Sequence, residues 1–253
     1  TATIDTSETV GELATLNADG GTNDLTIVIR AADATAATAG QLNTINDATS
    51  VAVNLTNVTA LAASSLSDLA TLATAITNSE FSNATGLTTI AVSDTTIDAT
   101  ALAARIDSYD TINGGSATTG MTLASGATIN VDADEVTHML ADETAGRLTI
   151  ADQAITVTNA ITVDNANLLG ATTTGVVTAT IAGTETVGEL ATLNADGGTN
   201  ALSITIRAED ATAATAGQLN TINSATAVAV DLTNVTALAA SSLDDLGTLA
   251  TAI

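Results

Sequence analysis

The sequence predicts a repeat solenoid of parallel β-strands joined by short crossover helices, a β/α solenoid. Three observations predict it: one long segment occurs twice, extended and helical periodicities alternate along the chain, and the 253 residues include no proline. Proline would remove a hydrogen-bond donor from a central strand, so its absence favours continuous parallel ladders. An all-β parallel β-helix stays open as the alternative, because the pattern over 148–182 favours strands over helix.

The long repeat predicts the domain organisation. Residues 8–76 recur as residues 185–253, an offset of 177, and nine of the 69 positions differ. We expect one continuous solenoid array over residues 1–253, with a first long-repeat copy at 8–76, intervening irregular coils at 77–184 and a partial second copy at 185–253. The second copy stops in mid-pattern at Ile253, so we expect a window on a longer tandem array.

The extended segments are recognised by alternation. In the first of them the two copies agree at positions 25, 27 and 29 and differ at 24, 26 and 28, as a strand with one invariant face and one tolerant face requires. The predicted extended segments are 25–30, 51–55, 88–92, 127–131, 155–163, 176–181, 202–206 and 228–232.

Short helices are predicted between these strands. Over 60–76 the apolar residues Ala62, Leu66, Leu69, Ala73 and Ile76 follow a helical period. Similar spacings occur at Leu13 and Leu16, Leu42 and Ile45, Leu102 and Ile106, and Val136, Met139 and Leu140. Capping boxes are predicted from Thr9 to Glu12 and from Thr186 to Glu189.

Composition limits the function classes. The formal net charge is −24, from 28 acidic and 4 basic residues, and the chain has no cysteine or tryptophan. Nucleic-acid binding needs cations and aromatic platforms, so we expect none. Histidine is the side chain most often used for general acid–base catalysis, and the chain has only one, His138. We therefore expect that the protein is not an enzyme. No apolar run is long enough for a transmembrane helix, so we expect no membrane insertion.

Three stretches, 35–49, 51–72 and 155–170, resemble the Ala/Thr-rich acidic tandem repeats of giant secreted bacterial surface proteins. Such tracts occur in cyanobacterial and proteobacterial adhesin-like, S-layer-like and calcium-binding exoproteins. The resemblance implies an extracellular or cell-surface location and a structural or adhesive role. It transfers no catalytic residue.

The candidate metal site is a glycine-containing loop rich in oxygen ligands, the chemistry that Ca²⁺ prefers. Its candidate ligands are Asn17, Asp19, Asn23 and Asp24 in the first copy and Asn194 and Asp196 in the second. A tight turn between helix and strand is the competing interpretation, since the second copy has Ala201 in place of Asp24. No other cofactor is expected.

Other polar residues have simpler expected roles. The clusters Asp107, Asp110, Asn113 and Asp132, Asp134, Glu135 are expected to be solvated surface, and His138 a surface residue. Arg30 and Arg207 are expected to pair with Asp33 and Asp210. Phe81 and Tyr109 are expected to fill wider parts of the core. Threonine ladders at 156–158 and 178–180 suggest ice binding, but they do not recur at a constant short period.

The expected function is therefore a structural segment of a large extracellular repeat protein that forms a rod, filament, sheath or surface layer. The alternative is an adhesin repeat that binds a glycan or a surface and could depend on calcium. In the structural case we expect self-association with copies of the same protein, with divalent cations screening the negative charge.

Overall fold

The computed structural model describes residues 2–17, 22–115, 119–194 and 199–252. The fold is mixed α/β, and its strands pair in parallel. The chain divides into two compact units, residues 1–124 with 141–150 and residues 125–140 with 151–253, which we describe separately. No helix of the described ranges is long and apolar enough to cross a membrane.

Mostly short strands and α-helices are interspersed along the chain. The strands are β1 Ala2–Thr3, β2 Leu25–Thr26, β3 Val53–Asn54, β4 Ala60–Ser64, β5 Phe81–Ser82, β6 Thr89–Val92, β7 Thr96–Asp98, β8 Gly120–Thr122, β9 Thr128–Val131, β10 Leu148–Thr149, β11 Ala154–Ile161, β12 Val177–Ile181 and β13 Ala201–Ser203. The α-helices are α1 Val10–Leu13, α2 Ala39–Asp47, α3 Leu66–Thr77, α4 Ala99–Ile112, α5 Val136–Thr144, α6 Val163–Thr172, α7 Val187–Leu190, α8 Ala216–Ser224 and α9 Leu243–Ala252. Single 3₁₀ turns lie at Ala31–Asp33, Ala84–Gly86, Ala133–Glu135 and Ala208–Asp210.

The first unit stacks its strands in parallel ladders. β1 pairs with β2, β3 pairs with β5, and β4, β6, β8 and β10 form a sheet in that order. In this sheet Leu61, Ile90, Met121 and Leu148 lie side by side and are all buried. Beside the strands, α1 contacts α2, α2 contacts α3, and α3 contacts α4. Each β/α segment therefore packs mainly on its neighbours in sequence.

The second unit has the same kind of construction. Its strands β9, β11, β12 and β13 lie in that order and are parallel. Ile129, Ile155 and Val177 form a buried row across three of them. Helix α6 packs on β11 and β12, α7 contacts α8, and α8 contacts α9.

The predicted alternation in the first extended segment is confirmed. Ile27 and Ile29 are buried, and their counterparts Ile204 and Ile206 are buried as well. Positions 24, 26 and 28, where the copies differ, are exposed or half-buried. Substitutions were therefore accepted on the face that does not contribute to the core.

One assignment from periodicity is wrong. Residues 60–64 form strand β4 and not the start of a helix; α3 begins at Leu66, after Ser65, whose hydroxyl accepts a hydrogen bond from the Asp68 amide. The stretch 148–182 has more residues in strands than in helix, as predicted, but it contains helix α6, with Thr162 as its N-cap, so the all-β alternative is wrong. Alanine-rich sequence fits a strand as well as a helix when spacing is the only criterion, so neighbouring strands decide between them.

The two large aromatic side chains lie in the core, as predicted. Phe81 on β5 and Tyr109 on α4 are both buried. The Tyr109 hydroxyl donates a hydrogen bond to the Leu69 carbonyl oxygen at 3.2 Å. Burial raises the pKa of the Tyr109 phenol, so the hydroxyl stays protonated and remains a donor at neutral pH.

Identical residues of the two copies differ in exposure. Leu61 and Leu69 are 2% and 0% exposed, whereas their counterparts Leu238 and Leu246 are 38% and 37% exposed. In the first copy, α4 packs on α3 and β6 pairs with β4. Burial of these leucines thus depends on the segment that follows and not on the local sequence.

This difference predicts unequal effects of the same substitution. Leu69→Ala should lower the free energy of unfolding by about 2–5 kcal/mol, because it leaves a cavity in a packed core. Leu246→Ala should lower it by less than about 1 kcal/mol, because the side chain is already partly in water. Urea denaturation of the two variants checks this, and the change in helix propensity is common to both. Equal losses would show that the second leucine is covered in solution.

Candidate functional site

The helix N-termini are connected to the β/α segments that follow them. The first amides of a helix have no acceptor within the helix and form the positive end of its dipole. In the first copy each of three helices donates its first amide to a side-chain oxygen 23 to 28 residues further on. The bonds join Val10 N to Asp33 Oδ2 (2.7 Å), Ala39 N to Ser64 Oγ (2.9 Å) and Leu66 N to Asp94 Oδ2 (2.7 Å).

The second copy repeats two of these bonds with nearly the same geometry. Val187 N donates to Asp210 Oδ2 at 2.8 Å, and Ala216 N donates to Ser241 Oγ at 2.9 Å. The helices also carry their own caps: the predicted boxes at Thr9 and Thr186 are confirmed, and equivalent boxes occur at Thr38–Gln41 and Thr215–Gln218.

An arginine holds each of the two capping aspartates in place. Arg30 Nε lies 2.9 Å from Asp33 Oδ2, and a second guanidinium nitrogen donates to Asp33 Oδ1 at 3.3 Å. The third nitrogen donates to the Ser7 carbonyl oxygen at 2.8 Å. Arg207 and Asp210 form the same pair, again at 2.9 Å, with Thr184 supplying the carbonyl. The predicted Arg–Asp pairs are confirmed, and each also binds the preceding segment.

These contacts keep both aspartates ionised. The hydrogen bond from Arg207 holds the pKa of Asp210 below its ordinary value, against the opposing effect of burial, and the Val187 amide adds to it. Burial tends to raise the pKa of Asp33, but the bonds from Arg30 and the Val10 amide outweigh it and leave that pKa lowered. Asp210 in turn raises the pKa of Arg207.

Buried threonines form a second class of connection. The Thr49 hydroxyl accepts from the Leu25 and Val51 amides and donates to the Leu25 carbonyl oxygen at 2.8 Å. Thr226 makes the same three bonds around Leu202. Thr119 and Thr173, between the copies, donate to a carbonyl oxygen of the preceding segment in the same way. Each of these buried hydroxyls thus donates to a backbone carbonyl of another segment, which satisfies its own hydrogen-bonding capacity in the core.

Asparagines form a third class. Asn57 Nδ2 donates to the Ile29 carbonyl oxygen, and its counterpart Asn234 donates to Ile206, both at 2.8 Å. Asn43 in α2 donates to the Asp68 carbonyl oxygen of α3 at 3.0 Å. Gly40 lies beside this bond, where a Cβ would approach the Asp68 carboxylate to 3.3 Å, so glycine permits the close packing of the two helices.

We call the side chains that make these connections the inter-segment staples. They are Asp33, Asn43, Thr49, Asn57 and Ser64 in the first copy and Asp210, Asn220, Thr226, Asn234 and Ser241 in the second. None of the nine positions that differ between the copies is a staple. Of the staples, only Asp33 and Asp210 were predicted from the sequence, as partners of Arg30 and Arg207. The others could have been suspected only because they are identical in the two copies.

Some differences between the copies occur in contacting pairs. The Ser50 hydroxyl donates to Asp24 Oδ1 at 2.7 Å, and both residues are alanine in the second copy. Val28 bridges to Asn54, whereas the second copy has Thr205 bridged to Asp231. Contacts on the outer face thus changed together, while the staples stayed the same.

The structure places part of the predicted calcium site. Asn17 and Asp24 are exposed and Asn23 is half-buried. The Asn23 carbonyl oxygen accepts from the Ser50 amide at 2.8 Å. Asn194 is exposed and its amide donates to Asn167 Oδ1 at 2.8 Å. Asp19 and Asp196 lie outside the described residues, so calcium binding at these loops stays a prediction.

The remaining acidic candidates do not assemble into a metal site. Asp132 and Asp134 are exposed, as predicted, and Asp132 Oδ1 accepts from Asn159 Nδ2 at 2.6 Å. Within the described residues no group of three or more acidic, histidine or cysteine side chains is arranged to hold a metal ion. His138 is exposed on α5, which confirms its expected place at the surface.

The assignment of Asp110 to solvated surface is wrong. Asp110 is buried, and its Oδ2 lies 3.1 Å from a guanidinium nitrogen of Arg147, which also pairs with Asp142. Asp142 is 1% exposed. The bond with Asp110 raises the pKa of Arg147 despite partial burial, and Asp142 adds to the effect. The partners are 37 and 5 residues apart in sequence, so spacing alone could not reveal this cluster.

The staple at Asp33 predicts a specific acid dependence. Its stabilising effect should be complete above the unfolded-state pKa of about 3.9 and lost as the pH falls through the lower, folded-state pKa. Asp33→Asn should therefore reduce stability at pH 7, and its difference from the unmodified chain should shrink below about pH 4.

Urea unfolding of both chains from pH 7 to pH 2 checks this. The matched control is Asp47→Asn, an exposed position where the second copy has Ser224. A difference that stays constant into acid would contradict a role for the Asp33 carboxylate charge.

Removal of Arg147 should be costly. Arg147→Ala leaves two buried carboxylates without their cation, and we expect a loss of about 3–5 kcal/mol in the free energy of unfolding. Arg105→Ala is the control, since Arg105 forms no ion pair with the described residues. It should cost less than about 1 kcal/mol. Similar losses for the two variants, measured by thermal or urea unfolding, would show that the cluster does not stabilise the fold.

No protein-family model, no curated protein and no solved structure matches this chain.

Proposed function

We propose that the chain is a segment of a β/α solenoid in a large extracellular repeat protein that forms a rod, filament, sheath or surface layer. Its role is mechanical: successive β/α segments stack through parallel strands and inter-segment staples. The proposal includes no catalytic role, and nucleic acid is not among its partners.

The observation that carries the proposal is the recurrence of the staples. Asp33 and Asp210 bind the preceding helix with the same atoms and with distances that agree within 0.1 Å. Ser64 and Ser241 bind Ala39 and Ala216 at an identical 2.9 Å. An interface that recurs in this way can be extended by further copies without any new kind of contact, which is the basis of solenoid arrays.

The charge and the resemblance support an extracellular place. A net charge of −24 opposes close association of chains unless cations screen it. Calcium, which is abundant outside cells, would allow copies of the protein to associate laterally through their acidic faces, and the loops containing Asn17 and Asn194 are candidate sites. The likeness to secreted bacterial surface repeats favours the same location.

An adhesin repeat is the second candidate, and one groove favours it. The groove lies beside α2 and α3 and has a volume of about 360 Å³. Polar side chains such as Asn43, Asp47, Thr74, Asn78 and Glu80 line it. Hydroxylated ligands such as sugars suit this lining, although no aromatic platform is part of it. Saturable binding of a glycan that is lost in Glu80→Gln would favour this candidate.

The structural proposal is tested by lengthening the chain by one repeat period and measuring the shape of the particle. Residues 77–253 joined after Ile253 add one full 177-residue period, because Ile253 is the counterpart of Ile76. X-ray scattering should show that the particle lengthens while the radius of gyration of its cross-section stays constant. A compact domain would instead grow in all directions, with its radius of gyration rising as roughly the 0.38 power of length.

The cation component is tested on the same samples. Calcium should raise the melting temperature and promote association, and chelation should reverse both effects. Magnesium at equal concentration separates diffuse screening from a dedicated calcium site. If neither ion changes stability or association, the cation component is wrong while the solenoid proposal stands or falls on the scattering result.

A further inference from the structure

One face of the second unit exposes apolar residues whose counterparts in the first copy are buried. We call it the end face and define it by Val230, Leu232, Leu238 and Leu246, together with Leu249, which is itself 7% exposed and lines the adjoining groove. Leu238 and Leu246 are more than one-third exposed, and Val230 and Leu232 are half-buried. A groove of about 350 Å³ opens between Val230, Leu232 and Leu249.

The first copy shows what covers this face. The counterparts Val53, Leu55, Leu61, Leu69 and Leu72 are all buried. Strand β5 lies parallel to β3, with Phe81 opposite Val53. The Val53 amide donates to the Glu80 carbonyl oxygen at 3.0 Å, and the Leu55 amide donates to the Ser82 carbonyl oxygen at 2.9 Å. Strand β5, with its buried phenylalanine, thus pairs with the edge of β3 and accepts hydrogen bonds from its amides.

A helix and a carboxylate complete the rest of the face. Helix α4 packs on α3, where the Tyr109 hydroxyl donates to the Leu69 carbonyl oxygen. Asp94 accepts from the first amide of α3, at Leu66. The counterparts are the Leu246 carbonyl and the Leu243 amide, and the Leu243 side chain is 87% exposed. The second copy has the same residue at every position equivalent to 51–76 except positions 54, 67 and 70.

We propose that the end face binds a strand–helix segment with the chemistry of residues 77–112. Its strand would add in parallel and accept from the Val230 and Leu232 amides, as in recognition by β-augmentation. Its phenylalanine would enter the groove, its carboxylate would cap α9 at Leu243, and its tyrosine would donate to the Leu246 carbonyl. The inference rests on the segment-stacking part of the proposed function and is independent of the extracellular location.

The choice of occupant follows from chemistry. A groove lined by Val230, Leu232 and Leu249 selects a large apolar side chain, and the first copy places a phenylalanine opposite the equivalent valine. The exposed start of α9, at Leu243, selects a carboxylate. Residues 77–112 contain both groups, Phe81 and Asp94, together with helix α4, which packs on α3 of the first copy.

The test uses the full chain and a synthetic peptide of residues 77–112. Hydrogen exchange should show protection of the Val230, Leu232 and Leu243 amides when the peptide is added, with saturation at one peptide per chain. A Phe81→Ala peptide should bind at least about tenfold more weakly, since a central buried aromatic is expected to dominate binding. Leu246→Asp in the chain should abolish binding, whereas Leu168→Asp, at an exposed position on α6, should not.

A covalent version removes the dependence on peptide folding. Residues 77–112 joined after Ile253 should protect the same three amides, and Leu246→Ala should then become as destabilising as Leu69→Ala. Lack of protection in this longer chain would overturn the inference, as would equal binding by the Phe81→Ala peptide. If sedimentation shows that the chain alone dimerises and protects these amides, the occupant is a second copy and the inference is wrong. The two proposals fail separately. If the longer chain lengthens in the scattering experiment but the three amides are not protected, the end-face inference is wrong and the solenoid proposal stands.

Discussion

The interaction on which this structure depends is the hydrogen bond from a side chain of one β/α segment to the backbone of its neighbour. Apart from β11, which has eight residues, the strands have two to five residues and provide few ladder bonds, and helix N-termini leave amides without acceptors. The staples meet both needs at once. Asp33 accepts from the first amide of α1, the Thr49 hydroxyl donates to the Leu25 carbonyl oxygen, and the Asn57 side-chain amide donates to the Ile29 carbonyl oxygen. Their counterparts in the second copy do the same.

This arrangement explains an unusual composition. Alanine and threonine together make up 103 of 253 residues, and each has a physical use. Alanine allows segments to approach closely, and threonine supplies both helix caps, as at Thr38, and buried connectors, as at Thr49 and Thr226. The two large aromatic residues, Phe81 and Tyr109, are both buried in the core.

The few cations are used for structure. Three of the four arginines pair with buried or nearly buried aspartates: Arg30 with Asp33, Arg207 with Asp210, and Arg147 with Asp110 and Asp142. Most of the other acidic residues that the structure describes lie at exposed or half-buried positions. A surface of this kind stays hydrated and repels its copies unless cations intervene.

The sequence by itself determined the features that depend on neighbours within about four residues: the alternating face of Ile27 and Ile29, the capping box at Thr9 and the pair Arg30–Asp33. Mixed α/β structure with parallel strands also followed from periodicity. Tertiary structure decided the rest, because the partners lie some 20 to 40 residues apart: the burial of Asp110 beside Arg147, the hydroxyl of Thr49 on Leu25, and strand β4 where a helix fitted the spacing equally well. Exposure itself was such a property: Leu69 and Leu246 lie in nearly identical sequence, which differs nearby only at positions 67 and 70, and α4 packs beside Leu69 alone.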